Sequence, residues 1–182
     1  MAQYGSKELA QSFRTVRKNT IEAARDIPED KYDFSPAPAC LSVEKLLTHI
    51  ALGYRFQHRV NAVEKLSSMA GVDFPAMMAE LGAKEAEPRT KSQVIAMLEE
   101  EGEIWAAFLD GVSDEFLAES VSFPPEFSQP PKSRFELILG VKEHEMHHRG
   151  QVMLIQRLLG IVPHLTRQRA ERMAQTRAAE AS

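Results

Sequence analysis

Cysteine is almost missing from this 182-residue chain. The single Cys40 has no intrachain disulfide partner and cannot build a thiolate cluster, so any metal site must rest on nitrogen and oxygen ligands. Nothing around Cys40 marks it as an activated thiol. No apolar run approaches the roughly 20 residues of a membrane span, and the opening MAQYGSKELA lacks the apolar centre of a signal peptide. The expectation is a cytoplasmic protein with no membrane partner. Positive charge is also short: 22 Lys+Arg against 26 Asp+Glu leave a formal net charge of -4, which argues against a nucleic-acid surface and its clustered basic face. Internal repeats, low-complexity blocks and strand-period segments long enough for a sheet are absent as well.

What is present is helical periodicity in a composition of 43% hydrophobic and 26% charged residues, ordinary for one globular domain. Leu9, Phe13, Val16, Thr20, Ala23 and Ile27 are spaced three or four apart and predict a first helix from Ser6 to Ile27, stopped by Pro28. The segment PEDKYDFSPAPAC reads as an ordered crossover whose Tyr32 and Phe34 pack back onto the helices. Ser42 is a good N-cap for a second helix running to about Leu66, with Leu46, His49, Ile50, Gly53, Phe56 and Val60 on its inner stripe and His58 off it, at the surface. The connection 67–89 contains one short helical candidate, FPAMMAEL, whose methionines read as core filler. Thr90 and Gln93 form a capping box opening a third helix to Leu109, and Ser133 with Glu136 opens a fourth from Arg134 to Leu159, ended by Gly160. Between them, 110–132 is broken by Pro124, Pro125, Pro130 and Pro131. Four amphipathic helices with two long connections predict an all-α four-helix bundle over 1–163, followed by a charged tail over 164–182 that either frays or orders as a helix against a partner subunit.

The fourth helix carries the chemistry. Within HEMHHRGQ (144–151), His144 and His148 lie four residues apart on the stripe Leu137, Val141, Val152, Ile155. Neighbours at that spacing can aim their rings at one atom, as a His-x-x-x-His pair does for a divalent cation. A single core histidine is more simply a packed, hydrogen-bonded one, and that plainer reading stands for His49 taken alone. Two on one apolar seam are harder to satisfy, since each unpartnered buried polar group costs roughly 1–3 kcal/mol. Glu101, midway along the third helix's stripe, is either a snorkelling side chain, the reading placed first, or an inward acid beside a cation.

LSVEKLLTHIA after a proline-rich crossover, followed much later by SRFELILGVKEHEMHHRGQVMLIQRLLGI, resembles the DinB/YfiT family of four-helix-bundle metalloenzymes. The resemblance covers nearly the whole chain apart from the tail, and the His-x-x-His-His-Arg-Gly-Gln run is its most specific part. It implies that one histidine of the second helix and an i, i+4 pair of the fourth hold a divalent metal, roles that fall on His49, His144 and His148. It also implies chemistry similar to that of thiol-dependent transferases, in which a low-molecular-weight thiol is the cosubstrate and a small electrophile the acceptor. Imidazole suits zinc, nickel, copper and iron; zinc and nickel are placed first, with iron behind them. His147 and Gln151 are the candidate catalytic residues, orienting the nucleophile or donating to developing charge, and Arg149 is assigned a structural salt bridge. The metal is expected near one end of the bundle, its mouth formed by PEDKYDFSPAPAC and the loops, its pocket lined partly by the first and third helices. A related hydrolase, or a noncatalytic bundle with a structural ion, stands as the alternative, and a homodimer is a further expectation.

Overall fold

The computed structural model describes residues 4–180. In chain order the helices are α1 (Ser6–Asp26), α2 (Val43–Leu52), α3 (Arg55–His58), α4 (Phe74–Ala86), α5 (Lys91–Asp110), α6 (Asp114–Ala118), α7 (Arg134–Leu158) and α8 (His164–Glu180). A π turn at Arg59–Val63 continues α3, and two-residue strands β1 (Ser120–Val121) and β2 (Lys132–Ser133) pair antiparallel, Ser120 opposite Ser133. Both α1 and the α2 segment pack against α5 and α7, so the architecture is a four-helix bundle in which α1 and α2 stand diagonally, as do α5 and α7. Among the described residues no helix is long and apolar enough to cross a membrane.

The caps form as the residue types require. Thr90 Oγ1 accepts from Gln93 N at 3.3 Å while Thr90 N donates to Gln93 Oε1 at 2.9 Å. Ser133 and Glu136 make the same reciprocal pair at the start of α7, at 3.2 and 2.8 Å. In the first crossover Tyr32 is buried and its hydroxyl donates to Ala24 O at 2.9 Å, while Phe34 packs against the core.

Two apolar clusters fill the bundle. One joins Ile21, Ile27, Leu47, Ile50, Leu98, Val152 and Ile155. The other joins Leu9, Phe13, Tyr54, Trp105, Leu109, Ile138 and Val141. At the level between them Arg17 of α1 meets Glu145 of α7, Nη2 to Oε2 at 3.0 Å, with both side chains almost fully buried. Arg17 Nη1 also donates to Leu98 O at 2.8 Å and Nη2 to Ile50 O at 3.3 Å, while Thr20 Oγ1 donates to Glu145 Oε1 at 2.7 Å. One guanidinium therefore bonds to all three other core helices. Its stem needs the room left by Gly102, where a Cβ would come within 2.8 Å of Arg17 Cγ.

Several expectations are corrected. The second helix does not run unbroken to Leu66: α2 ends at Leu52, Gly53 and Tyr54 turn, and the chain resumes as α3 and the π turn, closed by Lys65 at φ 48. The π turn lets buried Asn61 accept from Arg134 Nη1 at 3.1 Å, a tertiary contact invisible in helical periodicity. His58 is half-buried and not fully at the surface; its ring packs against Tyr54, Trp105 and Phe108 at centroid separations of 5.6, 6.3 and 6.0 Å. Arg149 makes no ion pair among the described contacts and instead donates to Val16 O at 3.3 Å. The tail is helical as α8, seated on α1 by buried His164, whose Nε2 lies 3.2 Å from Asn19 Oδ1, and by Arg167 on Asp26.

Candidate metal centre

His49 leaves α2, and His144 and His148 leave α7, toward one point. His49 Nε2 and His144 Nε2 are 3.0 Å apart, and one ring nitrogen from each of the three residues can be chosen so that all lie within 4.8 Å of one another. The ring centroids stand 4.9 Å apart for His49 and His144, 4.8 Å for His49 and His148, and 4.5 Å for His144 and His148. The helical period explains the α7 pair, and the close approach of α2 supplies the third ring. That approach depends on Gly53: a Cβ there would sit 2.7 Å from His144 Cε1 and 2.8 Å from its Nδ1.

Partners fix two of the rings. His49 Nδ1 lies 2.8 Å from Glu85 Oε1, so it carries the proton and turns Nε2 inward as a lone pair. His148 Nδ1 lies 2.8 Å from Gln151 Oε1, which sets the same tautomer and leaves its Nε2 free. All three rings are half-buried. Burial, reinforced by the neighbouring imidazoles His148, His49 and His147, pushes the His144 pKa down to about 4. His148 is also pushed down, first by burial, against the raising effect of Gln151. Near neutral pH His144 and His148 are accordingly uncharged, the form a cation requires.

This donor set fits a divalent ion. Two nitrogens bonded to one ion at roughly 2.0–2.1 Å with tetrahedral angles stand about 3.3 Å apart, close to the His49–His144 separation. The inward lone pair of His49 facing a second imidazole nitrogen at 3.0 Å calls for a proton or a cation between them. Among the described residues the cluster offers three ligands and no fourth.

The other sequence candidates fall around this point. His147 is exposed, its ring 4.8 Å from that of His148 and its Nε2 3.4 Å from Gln151 Nε2. Gln151 thus bridges His147 and His148. Glu101 is buried, not snorkelling, but the cation beside it is the chain's own Arg55: Arg55 Nε donates to Oε2 at 3.0 Å, Arg55 Nη2 bonds Oε1, and Tyr54 Oη donates to Oε2 at 2.5 Å. Burial, reinforced by the hydrogen bond to Glu101, pushes the Tyr54 phenol well above its usual value. Glu85 was not singled out by the sequence. It arrives on α4, whose C-terminal carbonyls at Glu85, Ala86 and Glu87 are all bonded by Lys45 Nζ of α2, at 3.1, 3.0 and 3.1 Å. The site is also not at one end of the bundle. Glu145 and Ile50, both bonded by Arg17, adjoin His144 and His49 in sequence, so the cluster lies level with the buried ion pair, and the side chain that closes on it comes from α4, not from the first crossover.

Three imidazoles turned toward a common point between helices form a candidate site for a divalent metal, of the kind helix bundles build from facing side chains. Comparisons with known proteins give the family and the fold. The DinB superfamily model matches residues 12–152, and the chain belongs to that family. It is 26% identical over 155 residues to YjoA of Bacillus subtilis (strain 168), spanning 85% of this chain and 91% of YjoA. The crystal structure of that DinB-like protein superposes with a TM-score of 0.61 at 21% identity, over 84% of this chain and 92% of the other. YfiT from Bacillus subtilis, described as a probable metal-dependent hydrolase with an unusual four-helix bundle topology, superposes with a TM-score of 0.66 at 15% identity, over 88% and 91%. A DinB-like protein from Bacillus cereus ATCC 10987 gives 0.64 at 13% identity, over 85% and 93%.

Proposed function

We propose that His49, His144 and His148 hold a divalent metal ion, zinc or nickel before iron, and that the protein is a metal-dependent enzyme acting on small molecules. The observation that carries this reading is the 3.0 Å approach of His49 Nε2 to His144 Nε2, with His49 held in the metal-binding tautomer by Glu85. Three protein ligands without a fourth favour catalysis over a purely structural ion, because a structural site is normally closed by four. Bound there, a divalent ion supplies Lewis-acid polarisation and brings the pKa of a coordinated nucleophile toward neutrality.

The chain's own residues do the rest. Glu85 and Gln151 keep His49 and His148 in register, each by accepting the Nδ1 proton. His147, exposed beside the triad, is placed to take or return a proton at the open side of the site, with Gln151 steadying its ring. The reaction we infer is attack of a low-molecular-weight thiol on the carbon of a small electrophile: the C–S bond forms as the bond from that carbon to its leaving group breaks, and the thiol proton passes to the leaving group or to solvent. A cosubstrate thiol stays reduced in the cytoplasm, which is the location this reading requires. Hydrolysis, with water as the nucleophile, is the second reading, favoured by the description of YfiT. A homodimer belongs to the same proposal and is read by sedimentation velocity. Metal analysis of untagged protein, paired with a thiol–electrophile panel and an ester and amide panel, tests the whole. Stoichiometric metal with thiol conjugation supports transfer, turnover in the ester panel alone supports hydrolysis, and protein that takes up no divalent metal overturns both.

A further inference from the structure

A cavity of about 410 Å³ opens between α3 with its π turn, α4 and α5, and none of the three clustered histidines lines it. Its volume falls in the range of small-molecule sites. One wall is apolar, made by Met77, Met78 and Leu81 of α4 facing Ile104 of α5. The polar lining comes from two elements, His58 and Arg59 from α3 and its π turn and Lys84 from α4 itself. Arg55 also borders it but is engaged by buried Glu101. Arg59 and Lys84 are held only by exposed pairs, with Glu64 and Glu80, of the kind worth little in water and readily exchanged. His58 packs its ring on Trp105 and Phe108, and neither ring nitrogen has a hydrogen-bond partner in the described structure. Burial and the neighbouring Arg55 both lower its pKa, so it meets the cavity as a neutral ring with a donor and an acceptor to spare.

The cavity's walls lead to the histidine cluster at two places. Lys84 precedes Glu85, the partner of His49, and Tyr54 follows Gly53, against which His144 is seated. The roof, α4, has no buried residue of its own and is held at its C-terminal end by Lys45 and by the Glu85–His49 contact.

We propose that this cavity is the binding site for a small amphipathic anion, its apolar body against Met77, Met78, Leu81 and Ile104 and its carboxylate-like head at Arg59 and Lys84 within reach of His58. As the substrate class of the neighbouring centre this rests on the metal-dependent reading above; as a binding site it does not. Mostly apolar walls select the body, and Arg59 and Lys84, each held only by an exposed and exchangeable carboxylate, select the sign of the head.

The test is direct binding of octanoate, with octanol and octylammonium as matched neutral and cationic probes. Trp105, the only tryptophan and wholly buried beneath His58, reports by fluorescence, and calorimetry gives the stoichiometry. Octanoate is expected to saturate one site and to bind about tenfold tighter than octylammonium. The double variant Met78→Phe/Leu81→Phe, at residues that are not buried, fills the apolar wall and should weaken octanoate by about tenfold or more. Arg59→Glu with Lys84→Glu should invert the preference between octanoate and octylammonium. His144→Ala should leave octanoate affinity unchanged, so loss of metal and loss of the cavity ligand are read separately. Absence of saturation, equal affinity for the two charged probes, indifference to the filled wall in protein with unchanged circular dichroism, or loss of octanoate binding in His144→Ala would each overturn the assignment.

Discussion

Gly53 and His144 occupy one space: the imidazole Cε1 of His144 would stand 2.7 Å from a Cβ on Gly53, closer than real Cβ contacts allow. Gly53 has right-handed helical backbone angles, φ -59 and ψ -20, so alanine brings no dihedral strain and the tightest clash falls on the ring, ahead of the 3.1 Å approach to His49 O. Gly53→Ala is therefore expected to push His144 off the common point, weakening metal binding by about tenfold or more with little change in helix content. Calorimetric titration with zinc beside far-ultraviolet circular dichroism checks this. Undiminished affinity would mean that the ring relaxes freely and that the fit is not tight.

Glu85 acts on His49 through the ring nitrogen that faces away from the cluster. Removing such a partner typically costs 10–100-fold in metal affinity. Glu85→Ala should fall in that range. Glu85→Gln should fall short of it, because an amide oxygen still accepts the Nδ1 proton without the carboxylate charge. Equal losses in the two variants would show that charge, not orientation, is what Glu85 supplies.

The lowered His144 pKa makes metal-free stability depend on pH in a definite sense. An unfolded chain takes up this proton near 6.5, whereas the folded chain resists it until about 4. Between those values the unfolded state binds more protons, so stability falls as pH falls. The contribution is complete above 6.5 and gone below about 4, and His148 acts in the same direction. Denaturation midpoints of metal-free wild type and His144→Gln should therefore converge or cross on going from pH 7 to pH 4.5, with wild type losing more. A constant difference across that range would remove the basis for the burial argument. The same shift means that protons compete for His144 only below the range of free imidazole.

Much of this architecture is readable from spacing. Leu9 to Ile27 and Val94 to Phe108 mark their helices, and the Thr90–Gln93 and Ser133–Glu136 boxes mark helix starts because a cap is local chemistry. The pairing of His144 with His148 is equally local, being one helical turn. What periodicity cannot carry is the register between elements. His58 looks like a surface residue on a continuous helix and becomes an aromatic contact only because the chain turns at Gly53 and Tyr54. Glu85 belongs to a connection whose position over α2 is set by Lys45, and no motif announces it. Glu101 reads as an exposed acid from the sequence because its partner, Arg55, lies 46 residues away.

Arg17 and Glu145 should matter more to the fold than to the site. Breaking a buried, hydrogen-bonded pair by removing one charge costs about 3–5 kcal/mol. Arg17→Met leaves the buried carboxylate of Glu145 with Thr20 alone, so a loss of that order is expected in urea denaturation. Replacing both partners together, Arg17→Met with Glu145→Leu, should recover part of the loss. If the double variant is as unstable as the single one, the pair is holding the helices in register and not merely satisfying its own charges.

Two α7 histidines, His144 inside the cluster and His147 beside it, should separate by role. His144 is in the cluster, half-buried and 3.0 Å from His49, whereas His147 is exposed and touches the cluster only through His148 and Gln151. His144→Ala is expected to abolish stoichiometric metal and any turnover with it. His147→Ala should retain the metal and, if the residue moves a proton, lose about 10²–10⁴-fold in turnover. Gln151→Leu should lie between them, since it frees His148 Nδ1 and lowers metal affinity while leaving the ligand in place. Metal content and kcat are measured on the same preparations, and the pH profile of His147→Ala tells a proton carrier from a packing residue: a carrier's loss removes one limb of the profile. Full turnover in His147→Ala would confine the chemistry to the three clustered histidines and pass the proton to solvent.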